Sequence, residues 1–424
     1  MGIFSRRRVE SAADTPALSE RALNTRRMYR FDLARGGAHG VLESCWHTFA
    51  LIVLIRYFDA GESVKQNVPA AYGWGLVLVP FVLAWASRRT WSLNRYAAAI
   101  WGGVAVAMAV AATARHEIVF LGAMIVAQVL FAQAIPVLTH LYDRNYPPSQ
   151  RGQRLSTAML LTGVTGMLFG PLGGRLLDWS IGLYPVVFGL AALAALVGAF
   201  AVARMPAGRL ADLNAGGLGH NLITAWSDRV FRWLLIAWML MGVGNLMLIP
   251  IRVEYLANER YAINASNFEI AFLMAFIVPA FRLLSTKIWG FVFDRLNLMT
   301  VRLLLNGCFM VSMYLFFFTD SLFVMGVGVA LLGVAFGGGS VMWTLWVTKI
   351  APPGQVSAYM GVHGFFTGLR ASVAPFLGYA LVAATSPRFA AVISISLIAA
   401  SSGIFLLLRP ALERYRQREL LNDE

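Results

Sequence analysis

Apolar runs of about twenty residues, the length that spans a bilayer, recur along almost the whole chain, and the strongly charged stretches fall between them. Tyr96–Ala112, Val186–Ala203, Leu303–Phe318 and Ala390–Leu408 are examples. At ~1.5 Å rise per residue such a run crosses a hydrocarbon core of ~30 Å. No water satisfies a backbone N–H or C=O there, so each run has to be a helix. Twelve spans can be counted, the first over roughly 37–57. The expected fold class is an all-α membrane protein, multi-pass, with the lipid bilayer as its solvent.

Composition agrees. Hydrophobic residues make up 58% of the chain and charged residues 13%, against ~25% charged in ordinary soluble domains. A formal charge of +14 raises the question of nucleic acid. The basic residues, however, sit in tails and alternate loops rather than on one helix face, so no nucleic-acid partner is expected. Cys45 and Cys308 lie far apart inside apolar runs, with neither a disulfide framework nor metal-ligand spacing. No metal and no cofactor are expected. The Arg-rich start and a first apolar run interrupted by His39, Glu43 and His47 do not fit a cleavable leader.

The positive-inside rule sets the orientation. Arg6, Arg7, Arg8, Arg21, Arg26 and Arg27 precede span 1; Arg88, Arg89 and Arg95 follow span 2; Arg144, Arg151 and Arg154 follow span 4. Further cations sit at Arg204, Arg209 and Arg229 and in the C-terminal stretch. The intervening loops hold little beyond Lys65, Arg115, Arg260 and Arg388. Both termini are therefore expected in the cytoplasm. The division reads as a tail over 1–35, a six-helix bundle over 36–204, a linker over 205–228 containing the run Asn214–Gly219, a second bundle over 229–408 and a tail over 409–424.

The halves echo each other. Pro147-Pro148 after span 4 matches Pro352-Pro353 after span 10, and Pro171 and Gly174 fall over Pro375 and Gly378. Several coincidences in register indicate a duplicated six-helix unit, its copies related by an axis along the membrane normal.

With that repeat in place, Gly290-Phe291-Val292-Phe293-Asp294-Arg295-Leu296-Asn297 between spans 8 and 9 resembles the loop signature of the major facilitator superfamily (MFS), Gly-x-x-x-Asp-Arg/Lys-x-Gly. Gly290 would let helices approach closely, and Asn297 would take the left-handed position of the missing glycine. The first-half copy, Trp85-Ala86-Ser87-Arg88-Arg89, lacks the aspartate. Gly170 and Pro171 in span 5 resemble the family's glycine–proline motif. The resemblance implies two pseudo-symmetric bundles, a central cavity lined by spans 1, 4, 7 and 10, and spans 2, 5, 8 and 11 rocking across the junction. It implies that the Asp294–Arg295 charge cluster latches the outward-facing state.

Ionisable groups deep in a span are costly and mark function. His39, Glu43 and His47 share one face of span 1 by their spacing, and Glu43, His47 and His363 are the candidates for proton coupling. An ion pair between Glu43 and Arg35 is the structural alternative. Arg282 and Arg370 have no obvious counter-charge, and a guanidinium suits a carboxylate or phosphate. With Gln128, Gln133, Asn245 and Trp343 they form the candidate substrate site. Arg252, Glu254 and Glu269 are expected to be solvated near the outer mouth.

The expected function is secondary transport of a small organic, anionic solute coupled to protons or another ion, by a monomer in a bacterial cytoplasmic membrane. The alternatives are a proton-driven exporter of hydrophobic or cationic compounds and a non-transporting sensor or assembly partner. No nucleotide-binding loop and no catalytic constellation is present, so an enzyme is not expected.

Overall fold

In the computed structural model, which describes residues 14–212, 223, 226–352 and 355–410, the apolar runs are helices long enough to cross a membrane, twelve in number. They are α1 (Asp14–Ser44 and Ala50–Arg56, joined by a π-helical turn at Cys45–Phe49), α2 (Glu62–Ala86), α3 (Leu93–Thr113), α4 (Glu117–Asn145) and α5 (Pro148–Trp179). Then follow α6 (Tyr184–Ala203), α7 (Arg229–Ala257), α8 (Asn267–Arg295, with a π turn at Phe272–Ile277), α9 (Leu298–Phe317), α10 (Leu322–Leu345), α11 (Val356–Ala384) and α12 (Pro387–Leu407). Among the described residues the only β contact is a bridge between Ser92 and Arg209.

The two halves pack alike. In the first, α1 lies on α5 and α6, α2 on α4, and α3 on α4 and α6; in the second, α7 lies on α11 and α12, α8 on α10, and α9 on α10 and α12. The expected pair of pseudo-symmetric six-helix bundles is therefore the fold.

Three sequence expectations need correction at the boundaries. Helix α1 begins at Asp14, so the stretch read as a tail over 1–35 is largely helical. Near the end of that stretch Asp32 is fully buried, and its carboxylate accepts Arg35 Nε at 2.8 Å and the hydroxyls of Tyr142 and Tyr146 at 3.1 Å each. Arg35 therefore answers Asp32 rather than Glu43. Asn297 is extended (φ −70°) and caps α9 by accepting Thr300 N–H at 2.7 Å, so it is not a left-handed turn residue. The linker run Asn214–Gly219, Pro353 and the tail beyond 410 lie outside the described residues.

Residues up to 212 fold back on the α2–α3 loop, with Leu93 N–H on Gly208 O at 3.0 Å and Leu210 N–H on Trp91 O at 2.9 Å. Thr25 Oγ1 donates to Asn145 O at 2.8 Å and Asn145 Nδ2 to Pro206 O at 3.1 Å. The start of α1, the end of α4 and the linker thus share one face, here the linker face.

The bundles meet along α2–α11 and α5–α8. A methyl group on Gly174 of α5 would lie 2.8 Å from Asn267 O and Phe268 Cα of α8, closer than a real Cβ comes to such atoms. At the face opposite the linker the bundles are tied by polar bonds. Lys65 Nζ stands 2.8 Å from Glu254 Oε1, both side chains buried, and Arg260 bridges Glu254 (3.6 Å) and Glu62 (2.8 Å). Arg56 donates to Ala257 O (3.0 Å), Asn267 Oδ1 and Ala265 O (2.6 Å each). Asp178 at the end of α5 accepts the first N–H groups of α8, from Asn267 at 2.7 Å and Phe268 at 3.2 Å. All the hydrogen bonds and ion pairs that join the bundles among the described residues lie at this face.

Glu254 and Arg252 are therefore fully buried, not solvated as their position at a span end implies. Arg252 lies 5.7 and 5.8 Å from the ring centres of Phe316 and Phe317. Glu269 forms a capping box with Ser266 at the start of α8.

Breaking a buried pair strands a charge, whereas replacing both partners by apolar groups of similar volume is close to neutral. Glu254→Leu alone strands Lys65 and should lower stability by about 3–5 kcal/mol; Lys65→Met should cost less, because Arg260 and Asn258 still answer Glu254, and the double replacement should recover most of the Glu254→Leu loss, as read by denaturation in mixed micelles.

Candidate functional site

The interior of α1 carries the polar face the spacing requires. His39 Nε2 lies 3.8 Å from Glu43 Oε1. The His39 ring stacks on Phe131 of α4 at 4.6 Å, which fixes its plane. Glu43 retains 37% side-chain exposure and His47 is exposed, although both sit in the middle of a span. Arg282 of α8, from the other bundle, lies within electrostatic range of His39, Glu43 and His47. Tyr72 of α2 lies within range of Glu43 as well. The open space these groups face is the gap between the bundles. Among the described residues no hydrogen bond or ion pair joins the bundles on the linker side of these groups. The π turn at Cys45–Phe49 falls between Glu43 and the end of α1, and such turns change the register of a helix face locally.

Arg370 lies elsewhere. It is 7% exposed, donates Nη1 to Trp238 O at 2.6 Å, and rests against Gly242, where any side chain would overlap its guanidinium. His363, one turn of α11 beyond Thr367, is enclosed by Trp238 (5.2 Å), Trp343 (5.3 Å) and Trp346 (5.2 Å). Trp343 is 36% exposed and donates Nε1 to Thr367 Oγ1 at 3.3 Å. The structure therefore separates two groups that the sequence reading joined. Arg282 lies within electrostatic range of the α1 carboxylate, whereas Arg370 belongs to an aromatic cluster within the second bundle.

The candidate amides divide. Gln128 donates to Val68 O and Gln133 to Gly75 O, each at 2.9 Å. Both are buried and fasten α4 to α2, so neither amide faces the gap. Asn245 is buried on α7 with Oδ1 unpartnered.

The loop motif is undone in this arrangement. Asp294 and Arg295 are both exposed, and Arg295 lies 3.6 Å from the centre of the Phe291 ring. Gly290 has no atom near its missing side chain, so it supports no close helix approach, contrary to expectation. In α5, Gly170 packs on Ala275 of α8, and Pro171 lies inside the helix without ending it.

Sequence reading missed Tyr72, Trp238, Arg302 and the Asp32 cluster. Arg302 and Asn306, four residues apart at the start of α9, form one unit: Arg302 Nε and Nη2 both donate to Asn306 Oδ1, at 2.9 and 2.8 Å. Their i, i+4 spacing was the available signal. The position of Arg302 near a span end hid its burial.

A twelve-helix, two-bundle membrane fold with charged groups facing across the bundle junction defines a class of transport architecture, and the comparisons agree. The Major Facilitator Superfamily model matches residues 44–375, most of the chain, and the chain belongs to that family. No curated protein sequence matches it. Among solved structures it is similar to a mutant of the nucleoside transporter NupG (TM-score 0.70, 11% identity, covering 92% of this chain and 99% of that one). It is similar also to the D-xylose-proton symporter (TM-score 0.64, 14% identity, 90% and 96%). A third likeness is to a bacterial homolog of the human lysosomal transporter Spinster in an inward-facing, occupied conformation (TM-score 0.61, 14% identity, 94% and 96%). At these identities the likeness is one of fold.

The two glycines give opposite expectations. Gly174→Ala should force α5 from α8 and cost about 1–3 kcal/mol, while Gly290→Ala should stay within about 0.5 kcal/mol. Denaturation of the two purified variants in mixed micelles checks both.

Proposed function

We propose that this chain is a proton-coupled secondary transporter of a small organic solute, working by alternating access in a bacterial cytoplasmic membrane. The observation that supports the reading is a partly exposed mid-span carboxylate, Glu43 on α1, paired with His39 at 3.8 Å and within electrostatic range of Arg282 on α8 of the other bundle. A charge in that setting needs an answering charge. Ionised Glu43 answers Arg282. When Glu43 takes up a proton, passed through His39 or His47, Arg282 is left to an anionic or strongly hydrogen-bonding group of the solute. Carboxylate and solute then compete for one guanidinium, so proton and solute movements are linked.

The distribution of basic residues supports placing the linker face and both termini in the cytoplasm, which makes this conformer inward-open. The bundles over 36–204 and 229–408 are the rocking bodies in this reading, and 205–228 joins them. Gly170 and Pro171 sit where α5 slides against α8. Asp294 and Arg295, disengaged here, are placed to latch the linker face in the opposite state. Arg282 opposite Glu43 disfavours the rival reading of a cationic cargo, because the guanidinium already supplies the positive charge.

A thermal-shift screen of nucleosides, sugars and organic acids on the purified protein would find the solute. In proteoliposomes, Glu43→Gln should cut accumulation driven by a proton gradient at least about tenfold while leaving solute exchange within about threefold. Arg282→Gln should lose both. Unchanged gradient-driven accumulation in Glu43→Gln would refute coupling at this carboxylate.

A further inference from the structure

The second bundle holds a group of donors with nothing to donate to. Arg302 is 1% exposed and stacks its guanidinium 4.4 Å from the centre of the Trp238 ring. The Arg370 guanidinium lies 5.8 Å from the same ring. The two charges lie within electrostatic range of each other, and both within range of His363. Arg302 is held by a closed relay: Asn306 Oδ1 accepts from it, Asn306 Nδ2 donates to Ser402 Oγ at 2.8 Å, and Ser402 Oγ donates to Ile398 O at 3.0 Å. The relay satisfies hydrogen bonds but supplies no negative charge. Among the described residues no carboxylate pairs with either guanidinium.

Three buried atoms in the same cluster have no partner at all: Arg370 Nε, His363 Nε2 and Trp346 Nε1. Their residues are 7%, 1% and 0% exposed. Two uncompensated cations at such burial are costly unless a counter-charge is supplied, and each orphaned polar atom adds to that cost. The site is nevertheless built with care. Gly242 is bare where Arg370 lies, and three tryptophans enclose His363. Trp343, which packs on His363, is itself partly exposed and bonded to Thr367.

We propose that Arg370, His363 and Trp346, with Arg302 behind the Trp238 indole, form a binding site for a small anion or anionic group, separate from the Glu43–Arg282 pair. The ligand is chloride, phosphate or a carboxylate. It enters past Trp343, accepts from Arg370 Nε and the Trp346 indole N–H, and neutralises the field of both guanidiniums. Its source is either a resident inorganic ion or the anionic end of the transported solute.

The test is direct binding to the full chain in nanodiscs, using radiolabelled chloride, inorganic phosphate and acetate as separate probes. At least one should bind saturably. Arg302→Met and Arg370→Met should each weaken it about tenfold or more, and Arg302→Lys, which keeps the charge, should restore part of the affinity. Loss of gradient-driven accumulation in Glu43→Gln reports on the coupling carboxylate, whereas loss of anion binding in the Arg302 and Arg370 variants reports on this site, so the two failures read differently. Binding of chloride or phosphate assigns a resident ion, and binding of acetate alone assigns the solute's carboxylate. Should either Met variant fail to fold, as judged by size-exclusion chromatography, the Lys variant and the wild-type isotherms still decide. No saturable binding of any of the three probes to the wild type, or equal affinity in the folded variants, would overturn the proposal.

Discussion

A charge held within a bilayer has to be answered by another charge, and this molecule answers its charges in distinct ways. Asp32 is satisfied within the first bundle by Arg35, Tyr142 and Tyr146. That cluster does not depend on how the bundles sit. Lys65 and Glu254 answer each other across the bundles, so their pairing exists only when the far face is shut. Glu43 and Arg282 lie within electrostatic range of each other from opposite bundles, and Glu43 stays partly exposed. Their separation is what any rocking motion would alter. Conformational change in such a protein is thus an exchange of electrostatic partners, because neither water nor lipid can stabilise a bare charge midway.

The same logic explains the asymmetry between the two faces. Arg56, Lys65, Asp178 and Glu254 concentrate cross-bundle bonds at one face. Motif residues Asp294 and Arg295 stand free of such bonds at the other. Close packing at Gly174 on the α5–α8 line provides a surface with little side-chain relief, over which one helix can pivot on another. The unanswered cations of the second bundle, Arg252, Arg302 and Arg370, break the pattern; rings of Phe316 and Phe317 flank the first, and the proposed anion would answer the other two.

Much of the fold was legible in the sequence because hydrocarbon leaves few choices. Run length gave twelve helices, the Pro171 and Pro375 register gave the repeat, and the loop around Asp294 gave the family. The i, i+4 spacing of His39 and Glu43 agrees with their 3.8 Å approach, while His47 falls in the π turn that follows. Partners were not legible. Arg35 was free to meet Glu43 or Asp32 on the same helix, and only the tyrosines of α4, more than a hundred residues away, decide for Asp32. Gln128 and Gln133 read as lining groups because buried amides are rare, yet their hydrogen bonds go to the α2 backbone. Arg282 and Arg370 looked alike in sequence. They differ because Gly242 admits Arg370 into the second bundle's core, whereas Arg282 projects from a helix that borders the gap. Lys65 and Glu254 sit at span ends, where solvation is the ordinary expectation, and only the closure of the far face buries them.

The central claim is that one site, at Glu43 and His47, is reached from one side of the membrane at a time. With Cys45 and Cys308 replaced by serine, His47→Cys places a single thiol in the gap, and a membrane-impermeant maleimide can be applied to either side of oriented vesicles. The account predicts labelling from the cytoplasmic side alone in the resting protein, and labelling from the outside once Arg56→Leu, Lys65→Met, Asp178→Asn and Arg260→Met together remove the side-chain ties of the far face. Labelling of the resting protein from outside, or no change on untying, would contradict it.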